Sequence, residues 1–168
     1  MGGFDADYEW FVGTTQEVIR CLEDMHQDQW RLTIAPVSER LTAALREHGD
    51  FAPELFDVGR LFDQLKKEMV EHRAREEVTI FPALASPDVS TEDMEAQLAE
   101  IRAAHQRIAS ILDQMRSLTF HYSTAPAEEE APEIKDLYAA LREVDGDVRR
   151  HMHIEENRLA DMVHQPGP

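Results

Sequence analysis

Apolar residues recur along most of this chain at alternating steps of three and four. That is the period of an amphipathic helix, not the two-residue alternation of a strand. The first run carries Val18, Leu22, Met25, Leu32, Val37, Leu41 and Leu45 and stops at Gly49. Pro36 falls inside it, and because the apolar period resumes beyond, the proline is expected to kink this helix, not end it. A second run comes after GDFAPE, with Leu61, Leu65, Met69, Ile80 and Ala83 before ASPDVS. Ser90 with Asp93 has the form of an N-capping box, Asp taking the acidic place, and opens a third helix. That helix reads Met94, Leu98, Ile101, His105, Ile108, Leu112 and Met115. Beyond the polar connection STAPAEEEAP, the fourth carries Ile134, Leu137, Leu141, Val144, Val148, His151, Glu155, Leu159 and Met162. Strand signals are weak and hairpin dipeptides such as Asn-Gly are absent. Helices over roughly 6–48, 53–84, 91–119 and 131–163 with mostly short joints predict an all-α, up-down-up-down antiparallel four-helix bundle. The whole of residues 1–168 is expected to form one domain.

Several polar residues break these apolar seams. His105, His151 and Glu155 fall at core positions, and Leu61, Leu65, Met69, His72, Glu76 and Ile80 place another His/Glu pair in the same way. His26 continues from Leu22 beside Met25. Burying one neutral histidine is ordinary. Burying two carboxylates costs several kcal/mol per unpaired ion, and no Lys or Arg lies in these seams to compensate them. A bound cation would.

The residues must also lie at one height. At ~1.5 Å rise per residue, His26 is roughly 33 Å from the helix end near Gly49, and His72 roughly 29 Å back from the same end. Counting residues to and from the later turns brings His105 and His151 to that level within one or two turns. Four helices thus deliver His26, His72, His105, His151, Glu76 and Glu155 to one layer. The same ruler sets His48 aside at the far end of the first helix. His153, Glu156 and Glu77 fall off the seams, and His121 and His164 sit in or near chain ends; all are read as surface. Glu68, one turn before His72, is read either as a solvated residue or as a carboxylate at the edge of the site.

Four imidazoles and two carboxylates are too many for one tetrahedral zinc, and calcium and magnesium prefer oxygen donors alone. Two metal ions, each with two imidazoles and sharing two bridging carboxylates, use every donor. They leave room for an oxo or hydroxo bridge and an open position. Such a set suits two non-haem iron ions and O₂ or NO chemistry, with manganese or a mixed pair remaining open.

Composition narrows the classes further. The net charge of −17 argues against nucleic acid and anionic membranes as partners. No apolar run approaches the ~18 residues of a membrane span, and MGGFDADYEW lacks the layout of a signal peptide, so a cytoplasmic location is expected. A single cysteine, Cys21, excludes an internal disulfide, a CxxC pair, a cysteine zinc site and an all-cysteine iron–sulfur site.

HRAREEVTIFP at 72–82 and HMHIEEN at 151–157, with a histidine in each of the other two helices, resemble the haemerythrin-like (HHE) family. Within it, the chain is most similar to the di-iron domain of the repair-of-iron-centres proteins, and the likeness covers nearly its whole length. Two features depart from the pattern. Repair proteins commonly carry a cysteine-bearing N-terminal domain that these residues do not include, so direct sulfur handling is not expected of them. The second motif continues as RLADMV instead of repeating Phe-Pro. Oxygen-carrying haemerythrins use five histidines, and the four here imply a more symmetric site with exchangeable positions on both ions.

The resemblance implies a cytoplasmic stress protein that donates iron or reacts with O₂, NO or peroxide. An iron or iron–sulfur acceptor protein is its partner class, and it would be a monomer or homodimer. The alternative is a sensor or reversible O₂-binding module without turnover; a metal-free acidic bundle is the third reading.

Overall fold

The computed structural model describes residues 13–124 and 131–164, and every long element in it is a helix. Helix α1 comprises Thr15–Gln29, a π-helical turn at Trp30–Ile34, and Ala35–His48. Helix α2 comprises Glu54–Arg75, a second π-helical turn at Glu76–Ile80, and Phe81–Leu84. Helix α3 is Thr91–Leu118 and α4 is Pro132–His164. Successive helices run antiparallel and each packs on its two neighbours around the ring, including α1 on α4. The all-α four-helix bundle is therefore the observed architecture. Among the described residues no helix is long and apolar enough to cross a membrane.

The helix starts obey local chemistry. Thr14 is extended, its hydroxyl accepts the Glu17 N–H, and the Glu17 carboxylate accepts the Thr14 N–H at 2.8 Å, a reciprocal capping box. The first helix thus begins at Thr15; of its expected start, residues 6–12 lie outside the described residues. At α3, Ser90 Oγ accepts the Asp93 N–H at 3.0 Å, as its sequence position predicts.

Pro36 does not break α1, and the structure shows what the chain does instead. A proline lacks the N–H owed to the carbonyl four residues back and its ring crowds that carbonyl. The backbone ahead of it widens, so that the Ala35 N–H reaches the Trp30 carbonyl five residues back. Pro82 has the same arrangement, with the Phe81 N–H on the Glu76 carbonyl. Each widened turn adds a residue to the helix and shifts the phase of the residues beyond it. In α1 the buried series runs Met25, Gln29, then Ile34 and Val37, a step of five across the turn. Leu32, which the uninterrupted period assigns to the core, is consequently 47% exposed, and Ile34 takes its place.

Polar residues divide the core in two. One apolar cluster includes Ile34, Val37, Phe62, Leu112, Leu137 and Val144; the other includes Leu22, Phe81, Leu98, Ile101 and Leu159. Between them lies the level of His26, His72, His105 and His151.

A different buried carboxylate anchors the corner after α3. Phe120, His121 and Tyr122 are three consecutive left-handed residues without a glycine, an arrangement costing about 1–2 kcal/mol per residue. Asp145, 1% exposed, holds the corner by accepting the Tyr122 hydroxyl at 2.9 Å. Burial and that carboxylate push the Tyr122 phenol pKa up. Arg116 and Arg149 pair with the same carboxylate at 2.7 and 2.5 Å, and Arg142 donates to the Tyr122 carbonyl at 2.7 Å. Asp145→Ala takes its carboxylate from Arg116, leaves Arg149 with Asp113 alone and releases the corner. A loss of about 3 kcal/mol is expected in chemical denaturation, against about 1 kcal/mol for Tyr122→Phe, which removes one hydrogen bond.

Candidate metal centre

Each helix contributes to one buried level by its apolar seam. His26 comes after Met25 on the inner face of α1, His72 and Glu76 lie one turn apart on α2, His105 sits mid-seam in α3, and His151 and Glu155 lie one turn apart on α4. All six are buried, and both carboxylates are fully enclosed. Glu76 opens the α2 π-helical turn, so the widened backbone starts at a residue of the site itself.

The imidazoles meet the carboxylates through their Nε2 atoms. Glu76 stands between two helices, with Oε2 at 3.3 Å from His26 and Oε1 at 3.3 Å from His72. Glu155 Oε2 accepts from His105 at 2.9 Å and lies 3.4 Å from His72 and 3.6 Å from His151. Its Oε1 is 4.0 Å from His26. The rings form two pairs: His26 with His151, centroids 4.7 Å apart, and His72 with His105, 4.8 Å apart. Donor atoms of His26, His151 and Glu155 converge within 4.8 Å of one another, as do those of His72, His105 and Glu155. Helices α1 and α4 thus supply one imidazole pair, and α2 and α3 the other, with the carboxylates between.

Proximity here does not amount to hydrogen bonding. Both nitrogens of His26 and of His151, both oxygens of Glu76, and Oε1 of Glu155 are buried with no hydrogen-bond partner. The His26–Glu76 contact is close enough for an ion pair but misaligned for a hydrogen bond. Each orphaned buried polar atom costs about 1–3 kcal/mol, and nearly all such atoms in folded proteins find partners. A cluster of them, all imidazole nitrogens or carboxylate oxygens, fits cation coordination. The donor set therefore could bind metal.

The carboxylates respond differently to shared enclosure. Burial, reinforced by the neighbouring Glu155 charge, raises the Glu76 pKa well above the ordinary carboxylate range. Burial pushes Glu155 the same way, but the surrounding His105, His151 and His72 overcome it and hold Glu155 ionised. Burial would lower His105 too, yet its bonds to Glu155 and Glu156 raise it. His26, desolvated and beside His151, is held down to about 3. Without a cation, protons serve as the only counter-charge within the cluster.

Glu156, which the periodicity assigns to the surface, is half-buried and accepts from His105 Nδ1 at 2.7 Å. That bond fixes the ring with Nε2 turned inward, the role an outer carboxylate plays behind a metal-binding histidine. The available signal was the Glu155–Glu156 doublet itself, since an imidazole aimed at the core needs an acceptor behind it. Gln29, three residues after His26 and only 6% exposed, is a second polar core residue that the apolar pattern passes over.

The residues set aside by helix length lie elsewhere. His48 Nε2 bonds Glu133 at 2.8 Å, and Glu68 pairs with Arg107 at 3.0 Å on the surface. Glu77 pairs with Arg73 at 2.9 Å, His153 is exposed beside Asn157, and His121 is exposed in the strained corner. The His164 side chain lies outside the described residues.

Comparison with known proteins gives an independent line. The Hemerythrin HHE cation binding domain family matches residues 18–163. An iron-sulfur cluster repair protein ScdA of Staphylococcus haemolyticus is 24% identical over 144 residues, covering 84% of this chain and 64% of that protein. The protein of the same name from Staphylococcus epidermidis is 21% identical over 150 residues, covering 88% and 66%. The chain thus spans slightly under two thirds of the length of these relatives.

Two substitutions test the geometry. Glu156→Ala removes the anchor behind His105, and a fall of about 10- to 100-fold in metal affinity is expected from chelator competition, with the number of ions bound unchanged. His48→Ala, remote from the cluster, is expected to leave both affinity and metal content as they are.

Proposed function

The chain belongs to the hemerythrin HHE cation-binding domain family, and we propose that it holds two non-haem iron ions as a repair-of-iron-centres protein. The observation that carries this reading is the set of buried donors without partners, divided into two imidazole pairs with a carboxylate reaching toward both. His26 and His151 hold one ion, His72 and His105 the other, and Glu76 and Glu155 bridge them, with an oxo or hydroxo group completing the bridge. Two Nε2 atoms and two carboxylate oxygens per ion leave at least one position open to a small ligand. Bound there, the pair supplies redox chemistry toward NO, O₂ or peroxide and a reserve of transferable iron.

The remaining residues exclude water and hold the donors in place. Apolar clusters close the level on both sides along the bundle axis, and a cavity lined by His26, His72 and His151 offers a route for ligand exchange. The name borne by the staphylococcal relatives supports an iron–sulfur protein as the recipient of that iron, in the cytoplasm. The net charge of −17 favours collecting cations. A second reading, reversible binding or sensing without turnover, is favoured by the largely apolar wall of the cavity that reaches the donors.

Metal analysis of anaerobically purified protein is expected to give two irons per chain. Glu76→Ala or Glu155→Ala should lose them, and manganese in their place would change the metal while preserving the site. Because binding selects the folded state, free iron at 100 times its dissociation constant should add about 2.7 kcal/mol of stability, which a chelator removes. A melting temperature indifferent to chelator would overturn the reading. Stepwise NO and O₂ titration then separates a stable adduct from turnover.

A further inference from the structure

Helix α2 has a second periodic face, on its outside. Pro53, Phe56, Arg60, Asp63, Lys67 and Val70 follow one another at alternating steps of three and four, and all six are exposed. Pro53 caps the helix and the other five lie within Glu54–Arg75. Such steps set side chains in one row along a helix. The inner row of the same helix, with Leu61 and Leu65, is buried in the bundle. On the outer row Phe56 and Val70 are 62% and 52% exposed, large apolar side chains that the bundle itself does not cover.

Beside this row, α1 and α2 leave a groove of about 500 Å³ with Leu41, Leu45, Phe56 and Gly59 in its wall. Charge sets this face apart. From Arg60 to Arg75 the chain places five of its seventeen basic residues and three of its thirty-four acidic ones. In a chain of net charge −17, a second copy is repelled less here than over the acidic remainder. The charged members of the row are paired along α2 itself: Arg60 with Asp57 at 3.4 Å, Asp63 with Lys66 at 2.6 Å, and Lys67 with Glu71 at 3.8 Å. Exposed pairs of this kind contribute about 0–1 kcal/mol each. Their charges can turn to another helix at little cost.

We propose that this face of α2 is the contact between two copies of the chain, packed antiparallel about a two-fold axis between Arg60 and Asp63. In that arrangement Arg60 of one copy meets Asp63 of the other, Phe56 meets Lys67, and Val70 meets Pro53. Each match occurs twice, as an isologous interface requires. The three matches are an ion pair, a cation over an aromatic face and an apolar contact. Run parallel, the same row sets Arg60 on Arg60, Asp63 on Asp63 and Lys67 on Lys67. Shifted by seven residues, it sets Arg60 against Val70. The row is therefore complementary to itself in one direction and one register, which is the charge argument for a second copy over an unrelated protein. Val70 also lines the cavity that reaches His26, His72 and His151, so the second copy would stand at its rim.

Sedimentation velocity on the full chain from about 1 to 100 µM tests this, a range that reveals a micromolar dissociation constant. Wild-type protein is expected to dimerise within it. Arg60→Asp sets two acidic pairs face to face and should weaken the dimer about tenfold or more. Phe56→Ala, which removes both aromatic contacts, should weaken it by a similar factor. Combining Arg60→Asp with Asp63→Arg restores opposite charges in both layers, and dimerisation should return to within about threefold of wild type. These side chains are exposed, so helix content by circular dichroism should stay unchanged. Should Arg60→Asp fail to fold, Lys67→Glu, which faces Phe56, decides by the same comparison. Wild-type protein that stays monomeric at about 100 µM would overturn the proposal and leave the row to a different protein. A dimer indifferent to Arg60→Asp would overturn it too, by placing the contact on another face. So would a double variant as weak as the single one, since the matching of Arg60 with Asp63 would then be wrong.

Discussion

Two carboxylates, Glu76 and Glu155, are enclosed at the centre of the bundle with imidazoles for their nearest polar neighbours. Much else in the molecule can be understood from how that charge is balanced. Asp145, ten residues before Glu155 on the same helix, shows the other solution. It too is buried, but two guanidinium groups and a phenol surround it, so it is neutralised by permanent charge and ordinary hydrogen bonds. Glu76 and Glu155 are given partners whose charge depends on protons and whose lone pairs suit a metal. One helix therefore carries a carboxylate answered by fixed charge and another answered by imidazoles, distinguished by the residues facing them and not by depth of burial. The arrangement is costly in isolation: a permanent buried pair is stabilising only when its geometry is complete, and here it is left incomplete on the protein side.

The two π-helical turns belong to the same account. Both sit at or next to the site, one ending two residues before Pro36 and one two residues before Pro82. The prolines forbid a regular ladder at those points, and the chain answers with a wider turn instead of a break. This keeps α1 and α2 continuous past the site while resetting which residues face inward beyond it. Ile34 and Val37 can then close the core on one side of the donors, and Ile80 and Phe81 on the other, in register with the seams of α3 and α4. The widened backbone also lies on two of the four helices that line the cavity, and Trp30 and Glu77 of the two π-helical turns are among its lining residues.

That cavity makes the site directional. The sequence presents four similar histidines, but their surroundings differ: His105 is braced from behind by Glu156 and turned away from the cavity, while His26 and His151 face it without hydrogen bonds. One imidazole is thus braced away from the cavity wall, and His26, His72 and His151 line it. Membership of the cation-binding family agrees with a buried donor cluster; which of its imidazoles line the cavity comes from the packing of this chain.

Much of this could be read from the amino-acid order. The three–four period marked four helices, Gly49 and Ser90 marked two of their boundaries, and His26, His72, Glu76, His105, His151 and Glu155 stood out as polar residues in apolar seams at one height. Those features are local or nearly so: a period, a cap and a fixed rise per residue carry the information without reference to the rest of the fold. The displacement of Leu32 by Ile34 was not legible, because the sequence shows a proline but not whether the backbone will bend, break or widen to accommodate it. Nor was the division of the histidines into pairs, the bond from His105 to Glu156, or the place of Gln29 in a cavity wall. These depend on how helices distant in sequence rotate against one another, and a rotation of one residue decides whether a side chain meets a ligand, a neighbour or water. The sequence determined which donors would be buried together; only the packed bundle decided which imidazoles pair, which one is braced, and which line the cavity.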